Sequence, residues 1–227
     1  MFPCPISEGD IGSLSANELA KLHQTTHFLV EKAKTARHFL KASGHPLPIA
    51  QLTISEITDD KTETDHFLRQ VLNGTDIGII SEAGCPGIAD PGAEAVSWAH
   101  IHGVKVVPFA GPSSIFMALM ASGFSGQSFA FHGYLSNKNP ALSQQLRSLE
   151  SAMLKTGQTQ IFMETPYRNG FMTETILTTL RESTRLCIAC SIGAPDEDIR
   201  QMSVARWKGS DTSVFHKRPA IFLIGST

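Results

Sequence analysis

Long hydrophobic runs and a disulfide framework are both missing from this chain of 227 residues. No apolar run approaches the ~18 residues that a membrane-spanning helix needs. The first ten residues lack the basic and apolar regions of a secretory signal. The four cysteines are few and unevenly spaced, while the 41% of hydrophobic residues suffice for a large core. These features predict a cytoplasmic protein without a membrane contact or structural disulfides.

An excess of positive charge is also missing. The chain has 19 Lys and Arg against 21 Asp and Glu, for a formal net charge of −2. Proteins that bind nucleic acid usually present a basic face, because neutralisation of phosphates supplies much of their affinity. Composition therefore gives no sign of a nucleic-acid partner, and any basic surface must be local.

Metal and dinucleotide motifs are weak. Cys187 and Cys190 form a CxxC, but they lie in a strand-like run, where residues three apart face opposite sides. His23 and His27 have the spacing of a zinc-protease pair, yet Gln24 stands where that chemistry needs a glutamate. No metal site is expected. A nicotinamide cofactor is the weakest candidate, because no GxGxxG follows the first strand.

The first half of the chain alternates strand-like and helix-like segments, which is typical of a parallel sheet with crossover helices. The pattern predicts strands at 27–31, 76–80 and 104–108, and helices at 33–41, 60–72, 91–102 and 111–122. We expect this N-terminal α/β domain to span residues 1–124.

The second half changes character toward its end. The pattern predicts helices at 141–155 and 165–181, and strands at 128–133, 159–164, 185–192, 201–207 and 220–224. No helix is expected among the last three strands, which favours antiparallel pairing. Residues 125–227 are therefore predicted to form a C-terminal α/β domain with a mixed sheet.

The most informative segment runs from Ile79 to Gly92, where an apolar strand ends in an acid and a glycine-rich loop. Asp90 is a good N-cap, and Pro91 suits the first position of the next helix. Ligands of parallel sheets lie beyond the carboxyl ends of strands, and Glu82 can accept hydrogen bonds from ribose hydroxyls or an ammonium group. The segment thus predicts a ligand loop; a plain strand–turn–helix connection is the alternative.

This segment resembles the Ser-Asp-Ala-Gly-Thr-Pro…Ser-Asp-Pro-Gly signature of the tetrapyrrole methylase superfamily. Three further segments match in the family's order: Phe109–Ile115 running on to Phe124, Phe131–Lys138, and Phe162–Arg168. The resemblance extends over about residues 27 to 225. It is strongest to the branch that 2′-O-methylates a cytidine of small-subunit ribosomal RNA.

The resemblance implies the two-domain tetrapyrrole methylase fold, with S-adenosylmethionine bound in a cleft between the domains. It also implies a homodimer that acts on ribosomal RNA or the small ribosomal subunit, and it identifies no catalytic base. The implied cofactor-binding residues are Pro5, Glu82, Gly84, Cys85, Ser113, Ser114, Ile115, Met163, Ile192 and Ala220. The implied substrate-binding residues are Lys34, Arg37, Lys138 and Arg168. Core packing is the alternative role for Ile192 and Ala220, and solvated surface charge for the four basic residues.

Several residues depart from the family's pattern. Ser7 and Glu8 replace the glycine and asparagine of its first loop, and Lys32 replaces an aspartate on the substrate side. Serine enters positive φ less freely than glycine, so this loop is expected to be reshaped. Two alternatives therefore stay open. One is methylation of a tetrapyrrole or another small molecule, and the other is a non-catalytic module that binds S-adenosylmethionine.

Overall fold

The computed structural model describes residues 1–7, 10–58 and 60–226. Glu8, one of the departures in the first loop, lies outside the described residues. The chain divides into two compact units, Met1–Ser113 and Ser114–Thr227. The helix Ser114–Ser122 lies between this division and the predicted boundary at residue 124.

The first unit is built around a parallel sheet. Its helices are α1 (Ala16–Leu22), α2 (Ala33–Ala42), α3 (Lys61–Leu68) and α4 (Ala93–Ile101), and its strands are β1 (His27–Val30), β2 (Thr53–Glu56) and β3 (Ile77–Ile80). The strand order is β2-β1-β3, and His27 pairs with both Thr53 and Ile77. The predicted parallel α/β architecture is confirmed.

Two predictions for this unit are wrong. Residues 104–108 form no strand. The N–H of Val104 donates to the carbonyl of Ala99 at the end of α4, and the amino group of Met1 donates to the carbonyl of Val107 at 3.0 Å. Asp90 and Pro91 do not open α4, because Gly92 is its N-cap. The backbone turns back first, with the N–H of Gly87 donating to the carbonyl of Pro91.

The second unit contains a five-stranded mixed sheet, as predicted. Its helices are α5 (Ser114–Ser122), α6 (Ala141–Thr156), α7 (Asn169–Thr179) and α8 (Val204–Lys208), and its strands are β4 (Phe129–Tyr134), β5 (Thr159–Glu164), β6 (Arg185–Cys190), β7 (Asp198–Ser203) and β8 (Ala220–Gly225). The strand order is β4-β5-β8-β6-β7. Only β4 and β5 pair in parallel, and the other pairs are antiparallel.

The predicted strand 201–207 is wrong in its second half, which forms α8. Ser203 caps this helix by accepting from the N–H of Arg206. Val204 and Trp207, three positions apart, are both fully buried. The Trp207 indole donates to the carbonyl of Leu186 at 3.0 Å. Tertiary packing of one tryptophan thus decides the conformation of a short segment whose apolar spacing also fits a strand.

Within the described ranges, no helix is both long and apolar enough to cross a membrane. Cys187 and Cys190 are free and buried in β6. Of the side chains that the structure describes, no group of three His, Cys, Asp or Glu is placed to hold a metal ion.

Candidate functional site

Three carboxylates lie where the parallel strands of the first unit end. Glu56 is the last residue of β2, Glu31 follows β1, and Glu82 follows β3 by two residues. Because parallel strands end at one edge of a sheet, the three acids share that edge. This is the edge at which the fold class places its ligands.

Hydrogen bonds fix two of these acids to neighbouring backbone. Glu31 Oε2 accepts from the N–H of Glu82 at 2.9 Å. Glu56 Oε1 accepts from the N–H of Ala33 at 2.6 Å, a free donor at the first residue of α2. The acids therefore tie the loop after β3 to the end of β1, and the start of α2 to the end of β2.

Glu82 itself is exposed and is held from one side only. Its Oε1 accepts from the hydroxyl of Thr35, in the first turn of α2, at 3.0 Å. Its Oε2 has no hydrogen-bond partner in the part of the chain that the structure describes. A carboxylate oriented in this way has one oxygen left for a ligand.

The glycine-rich loop beyond Glu82 is pinned to the N-terminal segment. Gly84 adopts a φ of +70°, and it exchanges two backbone hydrogen bonds with Cys4, of 2.8 and 3.0 Å. The Cys85 thiol lies 3.4 Å from the carbonyl oxygen of Pro112. The structure thus brings together four predicted elements of the cofactor site: the Pro5 segment, Gly84, Cys85 and the chain that leads to Ser113.

The electrostatic character of this region is negative. Burial raises the pKa of Asp90 to about 6, and the charge of Glu31 acts in the same direction. Burial also raises the pKa of the Cys85 thiol, with Glu18 and Asp90 adding to the effect. Glu18 is fully buried on α1, and its carboxylate oxygens find no hydrogen-bond partner among the described residues. Such surroundings favour a cationic ligand over an anionic one.

Three predicted site residues of the second unit converge at one end of its sheet. Ala220, at the start of β8, is paired with both Glu164 and Cys190. Met163 precedes Glu164 at the end of β5, and Ile192 follows shortly after β6. The side chains of Ile192 and Ala220 are buried, so a ligand here would meet their backbone. Ser114 and Ile115 instead open α5, on a different element.

The four predicted substrate residues have different surroundings. Lys34 and Arg37 are exposed on α2, one turn apart. Lys138 is exposed in the loop before α6. Arg168 is not a solvated charge, because it forms a 3.0 Å ion pair with the buried carboxylate of Glu164. Its guanidinium also lies 6.0 Å from the ring centroid of Phe171.

Sequence reasoning missed Glu56 and Thr35. Strand β2 is short, half-exposed and polar, so its sequence pattern does not predict a strand, and nothing marks Glu56 as the acid at a strand end. Thr35 lies in a helix in which only the basic residues are predicted to contact a ligand. An acid at or just after the end of each parallel strand of the first unit is the signal that would have identified Glu56.

Comparison with known proteins decides the family. The model of the family described as Tetrapyrrole (Corrin/Porphyrin) Methylases matches residues 11–207. The chain belongs to the tetrapyrrole methylase family. Such methylases take the methyl group from S-adenosylmethionine, so this protein is an S-adenosylmethionine-dependent methyltransferase.

Two curated relatives of this methylase share one name. This methylase is 31% identical over 205 residues to the ribosomal RNA small subunit methyltransferase I of Vibrio cholerae. The match covers 90% of this chain and 68% of the relative. The chain is 27% identical over 208 residues to the protein of that name from Pseudomonas aeruginosa, covering 90% of this chain and 71% of the relative.

Solved structures agree with the fold of this methylase. The methyltransferase CobJ matches with a TM-score of 0.60 at 17% identity, over 96% of this chain and 91% of CobJ. The cobalt precorrin-4 methyltransferase CbiF matches with a TM-score of 0.59 at 13% identity, over 94% and 89%. These likenesses establish the two-domain fold of the family.

The residues of the first unit fit S-adenosylmethionine. The free oxygen of Glu82 suits a ribose hydroxyl or the ligand's ammonium group. The negative surroundings of Glu31, Glu82 and Asp90 suit its positive sulfonium. Gly84 has no Cβ and adopts a positive φ, so the backbone of the loop can approach a ligand closely.

Proposed function

We propose that this methylase transfers a methyl group from S-adenosylmethionine to the ribose 2′-hydroxyl of a cytidine in the RNA of the small ribosomal subunit. The observation that carries the proposal is the 31% identity to a ribosomal RNA small subunit methyltransferase over 90% of this chain. The acceptor would be reached in the cytoplasm, and the homodimer that the resemblance implies is part of the same proposal.

In the first unit, we assign cofactor contacts to Glu82, Gly84 and Cys85, with Pro5 in the adjoining segment and Ser113 at the unit's end. In the second unit, backbone groups of Ser114, Ile115, Met163, Ile192 and Ala220 are the assigned contacts. When bound, S-adenosylmethionine supplies an electrophilic methyl carbon. The protein's part is to align the hydroxyl with that carbon, which in favourable cases lowers a barrier by several kcal/mol.

On the substrate side, Lys34 and Arg37 are assigned to RNA phosphates, because both are exposed on a helix whose first turn contacts Glu82. Lys138 is exposed and is assigned in the same way. Arg168 forms an ion pair with Glu164, which restrains its guanidinium before any substrate arrives. A restrained guanidinium loses less freedom when it binds a phosphate.

The net charge of −2 favours a second candidate acceptor, a tetrapyrrole or another small molecule. A tetrapyrrole would not need the exposed basic residues of α2. The two candidates differ in which acceptor becomes labelled, and the same assay separates them.

The test is methyl transfer by the purified protein from labelled S-adenosylmethionine, with small ribosomal subunits isolated from a strain that lacks the modification. We expect label in the RNA at a cytidine ribose over many turnovers. Precorrins offered in parallel are expected to stay unlabelled. Label in precorrin alone would establish the second candidate, and no transfer to any acceptor despite cofactor binding would indicate a binding module.

A further inference from the structure

Helix α2 carries a continuous basic stripe, which we define as Lys34, Arg37, His38 and Lys41. Their spacing of three, four and seven residues places all four within an arc of about 100° on the helix. All four are exposed. The opposite face, formed by Ala36, Phe39 and Leu40, is buried in the core of the first unit.

The basic stripe is unpaired within the part of the chain that the structure describes. None of the ion pairs or side-chain hydrogen bonds among the described residues involves its four members. Helix α2 contains no acidic residue, although a solvated helix face is usually stabilised by pairs of opposite charge. Arg37 and Lys41 are instead like charges four positions apart. An anionic partner would remove this repulsion.

The stripe begins beside the ligand loop. Thr35, next to Lys34 in the chain, donates to Glu82 at 3.0 Å. From Lys34 to Lys41 the stripe rises by roughly 10 Å at 1.5 Å per residue. That length is about three times the ~3.4 Å axial rise per phosphate of one strand in a B-form duplex, so the stripe has room for two or three phosphates. A bound backbone would therefore run from the outer end of α2 toward the residues that hold the cofactor.

We propose that the basic stripe of α2 is a phosphate track that guides an RNA strand to the methyl-transfer site. The proposal rests on the proposed function and extends it to His38 and Lys41. The stripe offers point charges and one imidazole on a rigid helix, so it contacts the backbone and carries no base specificity. Sequence choice must come from other residues.

The experiment measures binding of a fluorescently labelled RNA hairpin across a potassium chloride series. The test variant is Arg37→Gln with Lys41→Gln. The matched control is Arg147→Gln with Lys155→Gln, which removes two exposed charges from α6. Each lost phosphate contact should lower the slope of log affinity against log salt by about 0.7–0.9. We expect a fall of about 1.5 in the slope for the α2 variant, a roughly fivefold to tenfold weaker affinity at low salt, and no change for the control.

The proposal that the stripe binds RNA would be overturned by any of three results. These are an unchanged slope in the α2 variant, an equal loss of slope in the control, or no hairpin binding by the wild type. Calorimetry with S-adenosylhomocysteine should show equal cofactor affinity in the wild type and both variants, which excludes misfolding as the cause of a loss. The acceptor assay is separate. If the slope falls in the α2 variant but ribosomal RNA is not methylated, the stripe binds RNA as proposed and the proposed methyl acceptor is wrong.

Discussion

At the scale of single residues, the ligand loop depends on how its acids are paired. Glu31 and Glu56 accept hydrogen bonds from backbone N–H groups, and Glu82 accepts from Thr35. Ionisation of Asp90 is disfavoured, because this acid is half-buried and faces the charges of Glu31 and Glu82. The loop therefore carries a neutral Asp90 below about pH 6 and a charged Asp90 above it.

Replacing Asp90 by Asn should stabilise the protein in a pH-dependent way. The pKa of Asp90 is about 6 in the folded state, against an ordinary value of 3.8. Well below pH 3.8 the group is protonated whether the chain is folded or not, and it has no effect. As the pH rises from there through 6, ionisation favours the unfolded chain, and stability is lost.

The measurement for this prediction is the melting temperature of wild type and Asp90→Asn between pH 4 and 8. We expect a small difference near pH 4 and a clearly higher melting temperature for the variant at pH 8. Asp76→Asn, at an exposed acid before β3, should not reproduce the pH-dependent difference. A difference of the same size at every pH would show that Asp90 is not electrostatically disfavoured.

At the scale of elements, the close packing of β3 sets the position of the ligand loop. A Cβ on Gly78 would lie 2.7 Å from Cδ1 of the Phe28 ring and 2.9 Å from the Phe2 ring. Phe28 is fully buried on the neighbouring strand β1, so its ring cannot turn aside into solvent. The strand must therefore contain glycine at this position to hold its register against β1.

We predict that Gly78→Ala destabilises the protein by about 1–3 kcal/mol, the usual cost of overpacking a core. Urea unfolding measures the change. Gly126→Ala is the control, because no atom lies within 4 Å of its added Cβ. Equal stability of the two variants would mean that Phe28 relaxes freely and that β3 is not tightly positioned.

The sequence predicts elements well where apolar character is continuous. Strand β5 is observed at the predicted residues Thr159–Glu164, and all of its residues except Met163 are buried. Strand β2 is missed, because Thr53–Glu56 is polar and only half-buried. The Val204–Lys208 helix is missed, because the burial of Trp207 is a tertiary event. Helix α4 begins at Ala93 rather than Pro91, because the backbone of the loop folds back between Gly87 and Pro91.

At the scale of the whole molecule, motif order predicts more than composition does. Four short segments in the order of a family identify an S-adenosylmethionine-dependent methyltransferase, and the family match over residues 11–207 confirms it. Net charge argues against a nucleic-acid partner because it averages over the chain, and it conceals four basic residues on one face of α2.

The candidate site is only partly readable from the sequence. Glu82 and Gly84 are found through their motif, whereas the hydrogen bonds that Glu31, Thr35 and Cys4 make to them depend on contacts between distant segments. Such contacts leave no local pattern in a sequence. The domain boundary at 124 and the roles of the individual site residues stay predictions.

The central claim is that the acidic edge and glycine loop of the first unit hold the cofactor. Titration calorimetry with S-adenosylmethionine and S-adenosylhomocysteine tests it on wild type, Glu82→Gln and Glu174→Gln, the last at an exposed acid of α7. Loss of charged hydrogen bonds worth about 1.5–3 kcal/mol should weaken binding by roughly tenfold to a hundredfold in Glu82→Gln. The control should bind as wild type does. Equal affinity of wild type and Glu82→Gln for both ligands would contradict the claim.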